Sequence, residues 1–174
     1  MKQLYTLLIL LLLSPSSRAQ AGSFPRSWEG NWKGELSSTT SGSSSRVPLS
    51  LHIQPIDSTR WTWTLQYEAP GQEPRAYQLV KSPAGWQIDE QNGIVLPLQP
   101  IGQRMASSFS VEDNWLLCYY WLENDALHME IHAVLRKNTT TGTPATQPPE
   151  VATHFVSTLQ QATLHRKQPS TLKQ

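Results

Sequence analysis

The chain has 174 residues, a formal charge of +1 and a mean hydropathy of −0.42. That length suits one domain beyond any leader, and the balanced charge leaves no electrostatic footprint for nucleic acid or an anionic membrane. A single cysteine, Cys118, cannot close an internal disulfide, so stability has to come from a packed core.

The first residues read as an export signal. Met1-Lys2 supply a positive start, residues 7–13 are an unbroken apolar run, and Ala19-Gln20-Ala21 offers small residues at the positions a signal peptidase reads. The run is too short to span a bilayer, which takes about 20 apolar residues. Cleavage after Ala21 is expected, with no lipid attachment, since no cysteine lies near the cleavage point. The expected mature chain of 153 residues holds 12 basic and 13 acidic residues, because the signal carries Lys2 and Arg18 and no acid. It is expected to be secreted or periplasmic and not membrane-spanning.

Helical periodicity is hard to find in the remainder, and alternation with period two recurs instead. The expected strands are 28–37, 46–54, 60–68, 75–82, 85–90, 94–99, 104–112, 115–122 and 126–136. Val47, Leu49, Leu51 and Ile53 alternate with polar neighbours, as do Trp61, Trp63, Leu65 and Tyr67. Leu127, Met129, Ile131, Ala133 and Leu135 repeat the pattern, which suits an antiparallel sheet wetted on one side. Turn signals fall between the runs: Asn92-Gly93, Glu123-Asn124-Asp125 and the stretch 69–74. Residues 37–45, all Ser, Thr, Gly or similar, read as a flexible loop, and 138–149 as a polar linker. The segment 151–164 suits either a helix face or a strand. An even strand number closes a meander antiparallel throughout, which favours a tenth strand. Short hairpins favour pairing between chain neighbours, and closure removes exposed edges. The expectation is therefore an all-β fold, an antiparallel meander barrel of about ten strands over 22–166, with 167–174 as a flexible tail; a sandwich is the alternative.

Gly30-Asn31-Trp32 resembles the Gly-x-Trp of the first strand of lipocalin-like (calycin) barrels, a resemblance that places Trp32 at the closed end of a cavity. Gly30, Trp32 and Gly34 are also similar to the opening of nitrobindin-like barrels, although that family's C-terminal haem-ligand segment has no distinct counterpart. The middle of the chain, Arg75-Ala76-Tyr77-Gln78-Leu79 and Ile88-Asp89-Glu90-Gln91-Asn92-Gly93-Ile94, resembles a group of exported proteins of Gram-negative bacteria that carries no assigned activity.

Chemistry-bearing patterns are few. No nucleophile elbow, carboxylate pair or phosphate-cradling glycine cluster is present, so no catalytic residue and no enzyme activity are expected. His128, Glu130 and His132 share one strand face, but the two imidazoles lie about 13 Å apart and cannot bind one metal together. A solvated outer face is the plain reading, and neither cofactor nor metal is expected. Cys118, in an apolar run, reads as a buried, inert thiol. Trp61, Trp63, Tyr67, Tyr77, Phe109, Tyr119 and Trp121, with apolar bodies and mostly polar tips, suit either core filling or the lining of a ligand pocket. Arg75 and Arg104, at strand starts, could stand at a barrel mouth and meet a carboxylate. The expectation is a non-enzymatic binding protein for a small apolar or amphipathic molecule. The alternatives are an interaction module with a filled barrel and a haem or metal carrier.

Overall fold

A computed structural model describes residues 23–140 and 152–167. The expected leader, residues 141–149 of the expected linker and residues 168–174 of the expected tail lie outside the described residues. One 3-10 turn, Arg26–Trp28, precedes ten strands. These are β1 (Gly30–Thr40), β2 (Ser43–Ile53), β3 (Arg60–Tyr67), β4 (Arg75–Ser82), β5 (Gly85–Asp89), β6 (Val95–Ile101), β7 (Arg104–Val111), β8 (Asn114–Glu123), β9 (Ala126–Thr140) and β10 (Ala152–Arg166). Every strand pairs antiparallel with its chain neighbour, and β1 closes the ring on β10. The ambiguous segment after residue 150 is thus the closing strand. An all-antiparallel closure needs an even strand number, and residues 152–166 supply the tenth.

Two local expectations fail for identifiable reasons, and one turn is longer than its simplest form. Residues 37–45 are not a flexible loop: β1 and β2 stay paired up to Thr40↔Ser43, where the two side-chain hydroxyls lie 2.6 Å apart. These strand tips rise above the level of the core, so both faces meet water and no apolar contrast marks them. Asn92-Gly93 does lie in the turn of the β5–β6 hairpin, as expected, within a loop longer than two residues. Positive φ falls at Gln91 and Gly93, and the loop is held by Asp89 and Asn92 side chains accepting from the Gln91 and Ile94 amides. The linker also begins later than residue 138, because β9 runs to Thr140. By contrast, Asn124 and Asp125 take positive φ between the paired Glu123 and Ala126, as a tight primed hairpin requires.

The period-two register sorts the side chains. Trp32, Leu36, Leu49, Leu51, Ile53, Trp63, Leu79, Leu98, Leu127 and Leu164 point inward and are buried. Their alternates face water. The connections β1–β2, β3–β4, β5–β6 and β7–β8 gather at one end, called the mouth here; the 3-10 turn sits at the other, the plug end.

Candidate functional site

The plug is built from the first described residues. The chain passes through a cis Phe24–Pro25 bond into the 3-10 turn and drops Trp28 into the barrel, where it meets Phe24 edge-on at 4.7 Å and Trp63 at 6.3 Å. Trp32 is wholly buried beneath it and donates its Nε1–H to the Trp28 carbonyl at 2.7 Å. Arg166, the last residue of β10, lays its guanidinium 4.2 Å from the centre of the Trp32 ring and donates to the carbonyls of Glu29 and Ser27. One arginine therefore ties the C-terminal strand to the N-terminal turn. Gly30, at φ +144°, leaves room for that side chain, since a Cβ there would strike Arg166 Nη1.

The interior between plug and mouth is largely solid. Trp63 is 0 % exposed and packs edge-on against Tyr120 at 5.3 Å. Around Tyr120 lie Cys118, Tyr67 and Tyr77, close enough that each affects the ionisation of Tyr120. Burial pushes the Tyr67 and Tyr120 phenols up and the Cys118 thiol up to about 11. Ser107, opposite Cys118 on β7, is 4 % exposed, and its hydroxyl has no protein partner.

A thiol held at about 11 has a measurable consequence. In the unfolded chain it deprotonates near its ordinary value of 9, so from pH 9 to 11 the folded state holds a proton that the unfolded state has lost. Stability therefore falls as pH rises through that window, by on the order of 2 kcal/mol from this group. Tyr67 and Tyr120 act in the same direction at higher pH. Cys118→Ala should move the alkaline loss of folded protein, followed by circular dichroism, to higher pH. Native protein at pH 8 should leave a chromogenic disulfide reagent unreacted until urea is added. Prompt reaction without urea, or an alkaline profile unchanged in the variant, would contradict a buried, neutral thiol.

At the mouth the packing stops short. A cup of about 280 Å³ opens among Val111, Asn114, Leu116, Ile131, Ala133, Ser157, Thr158 and Gln160, carried by β7, β8, β9 and β10. Its apolar wall comes from the inward positions of three strands. A register shift between Val156 and Thr158 brings Ser157 to the cup as well as Thr158, and Ser157 Oγ–H donates to the Ala133 carbonyl at 3.0 Å. Exposed Val111, Leu135 and Phe155, at inward register positions, stand nearer the strand ends at the mouth.

The nine residues singled out from sequence separate into three groups. Trp61, Trp63, Tyr67, Tyr77 and Phe109 face inward, and Arg75 stands at the mouth with its guanidinium 4.9 Å from the Tyr67 ring centre. Of these, Trp63 is sealed in the core, and Trp61 lies at the plug end, donating Nε1–H to Glu29 at 2.9 Å. Tyr119, Trp121 and Arg104 are a correction: they lie on the outer face. Tyr120 and Cys118 take the inward positions of β8, which forces 119 and 121 outward. There Arg104 covers the Trp121 ring at 4.2 Å, and Trp121 stacks on His128 at 4.9 Å. Arg104 also starts its strand at the plug end, so it cannot serve the mouth. On the same outer face Glu130 Oε1 lies 2.8 Å from His132 Nε2, a contact that lowers the carboxyl's pKa. Among the described residues no group of three or more His, Cys, Asp or Glu is placed to hold a metal ion, and no helix is long and apolar enough to cross a membrane.

Fold and site together define a closed ten-stranded antiparallel barrel, plugged at one end and cupped at the other. A similar solved structure is a protein of unknown function of the DUF3598 family from Nostoc punctiforme PCC 73102, with a TM-score of 0.57 and 15 % identity. The match covers 80 % of this chain and 47 % of that one, so this chain spans about half the length of the Nostoc protein. The likeness is one of fold. The fluorescent protein UnaG matches at a TM-score of 0.48 and 8 % identity, over 82 % of this chain and 98 % of its own. Rv2717c from M. tuberculosis matches at 0.43 and 14 %, over 80 % and 92 %. No protein-family model matches the sequence, and no curated protein matches it.

Proposed function

We propose that the chain is an exported, non-enzymatic binding protein that holds a small, partly apolar molecule in the cup at the barrel mouth. The observation that carries this reading is the cup itself. Its volume of about 280 Å³ sits at the lower end for ligand sites, and Leu116, Ile131 and Ala133 face it beside the polar groups of Asn114, Thr158 and Gln160. Because the barrel below is filled, the ligand is small or leaves part of itself outside. Export rests on the leader at residues 1–21 and on cleavage after Ala21.

The neutral fluorophore N-phenyl-1-naphthylamine is the probe of choice. Mature protein should raise its emission saturably, and Ala133→Trp, which fills the cup from its wall, should abolish the response while circular dichroism stays unchanged. N-terminal sequencing of protein recovered from the periplasm or medium should begin at Gly22. A flat titration with wild-type protein would instead favour the second reading, an interaction module with a filled barrel. The fully buried Trp63 and Trp32 already give that reading some support.

A further inference from the structure

A recess larger than the cup lies away from the mouth. A groove of about 590 Å³ lies at the plug end, where the N-terminal turn, the β2–β3 loop, β3, β4 and β5 converge. Its floor is aromatic: the Trp61 and Trp86 rings meet edge-on at 5.6 Å, and Phe24 meets Trp86 at 5.0 Å. Two cations border it. Lys81 Nζ stands 5.8 Å from the Trp86 ring centre, and Arg26 projects from the 3-10 turn.

The acids of the groove are already engaged. Glu29 accepts the Trp61 indole N–H at 2.9 Å. Asp57 accepts from the Thr59 amide, from Thr59 Oγ1 and from Arg60 Nε, which hold its carboxyl down to about 2. Neither Lys81 nor Arg26 forms an ion pair among the described residues. Arg60 offsets Asp57 while Glu29 keeps its charge, so Lys81 and Arg26 leave the groove one positive charge in excess. That charge lies beside the half-buried Phe24 and Trp86 rings and the buried Trp61, in a recess large enough for a bicyclic ring system. Ring faces bind flat apolar surface, while ammonium and guanidinium donors bind an oxyanion.

We propose that this groove is a second binding site, which takes a small planar aromatic anion with its ring against Trp61 and Trp86 and its anionic group on Lys81 and Arg26. It stands independently of the mouth: the two sites share no residue and lie at opposite ends of the barrel.

The test compares 2-naphthoate with its neutral isostere 2-naphthamide by calorimetric titration of the mature protein. Naphthoate should bind at least about fivefold more tightly than the amide, with the gap shrinking as salt is raised. Lys81→Gln combined with Arg26→Gln should erase the difference; both side chains are exposed, so the fold should be untouched, and N-phenyl-1-naphthylamine should still bind at the mouth. Equal affinity of carboxylate and amide, no binding of either, or undiminished naphthoate binding in the double variant would overturn the proposal. Loss of naphthoate binding in Ala133→Trp with retention in the double variant would place the anion in the cup, which also overturns it.

Discussion

Trp32→Ala should cost on the order of 4 kcal/mol of folding stability, the largest effect of any single truncation proposed here. The side chain is wholly buried, so the change leaves a cavity the size of an indole at the junction of β1, the N-terminal turn and β10. Two further losses follow. The Trp28 carbonyl loses its donor at 2.7 Å, and the Arg166 guanidinium loses the ring it covers. Since domains of this size are stable by about 5–15 kcal/mol, the variant should sit near the edge of folding. Trp32→Phe separates the contributions: it keeps most of the apolar volume and gives up the indole N–H, so its cost should be about 1–3 kcal/mol. Combining Trp32→Ala with Arg166→Ala should cost clearly less than the two single changes added, because each removes the other's partner. Urea titrations of the wild type and the four variants decide it. A Trp32→Ala cost below about 1 kcal/mol, or strict additivity with Arg166, would mean that the plug is held by something else.

The barrel was legible because most strands carry contrast between their two faces. Val47–Ile53 and Trp61–Tyr67 alternate cleanly, and their inward residues are the ones the register buries. Where contrast vanished, legibility went with it. The segment from Ser37 to Ser45 has water on both sides and therefore no apolar residue to betray a strand. On β8 the opposite happens: Trp115, Leu116, Leu117, Tyr119, Tyr120 and Trp121 give both faces apolar bulk, so nothing local tells inside from outside. Only the partners decide. Tyr120 opposes the buried Met129 and Met105, while Tyr119 opposes Glu130.

The candidate sites were less legible than the fold, for the same kind of reason. Aromatic side chains drew attention, yet the cup is walled by Leu116, Ile131 and Ala133, ordinary inward positions whose significance is that the core ends there. Ser157 reaches it only through an irregularity in β10, which no periodicity announces. Arg166 was equally hidden, because its role depends on Trp32 and on carbonyls at the other end of the chain. The plug-end groove draws on five separate elements, and its excess of one positive charge appears only once Asp57 is seen paired with Arg60.

Closure itself can be tested at one residue. Gly34 is paired with Leu164 at the seam where β1 meets β10, and a Cβ there would lie far inside contact distance of the Thr163 carbonyl oxygen. That oxygen is backbone in a paired strand, so it cannot swing aside as a long side chain would. Gly34→Ala must therefore push the two strands apart, at a cost of about 3 kcal/mol, toward the upper end of the overpacking range. Gly42→Ala is the matched control. It sits in the β1–β2 turn at φ +92° with open space around it, so it should pay only the conformational penalty, about 1 kcal/mol. Beyond the stability difference, hydrogen exchange should speed selectively in residues 32–36 and 162–166 of the Gly34 variant, while the β8–β9 hairpin keeps its protection until global unfolding. If Gly34→Ala proves no worse than Gly42→Ala and the seam amides stay protected, β1 and β10 do not approach as closely as a closed ring requires, and the barrel would be open along that edge.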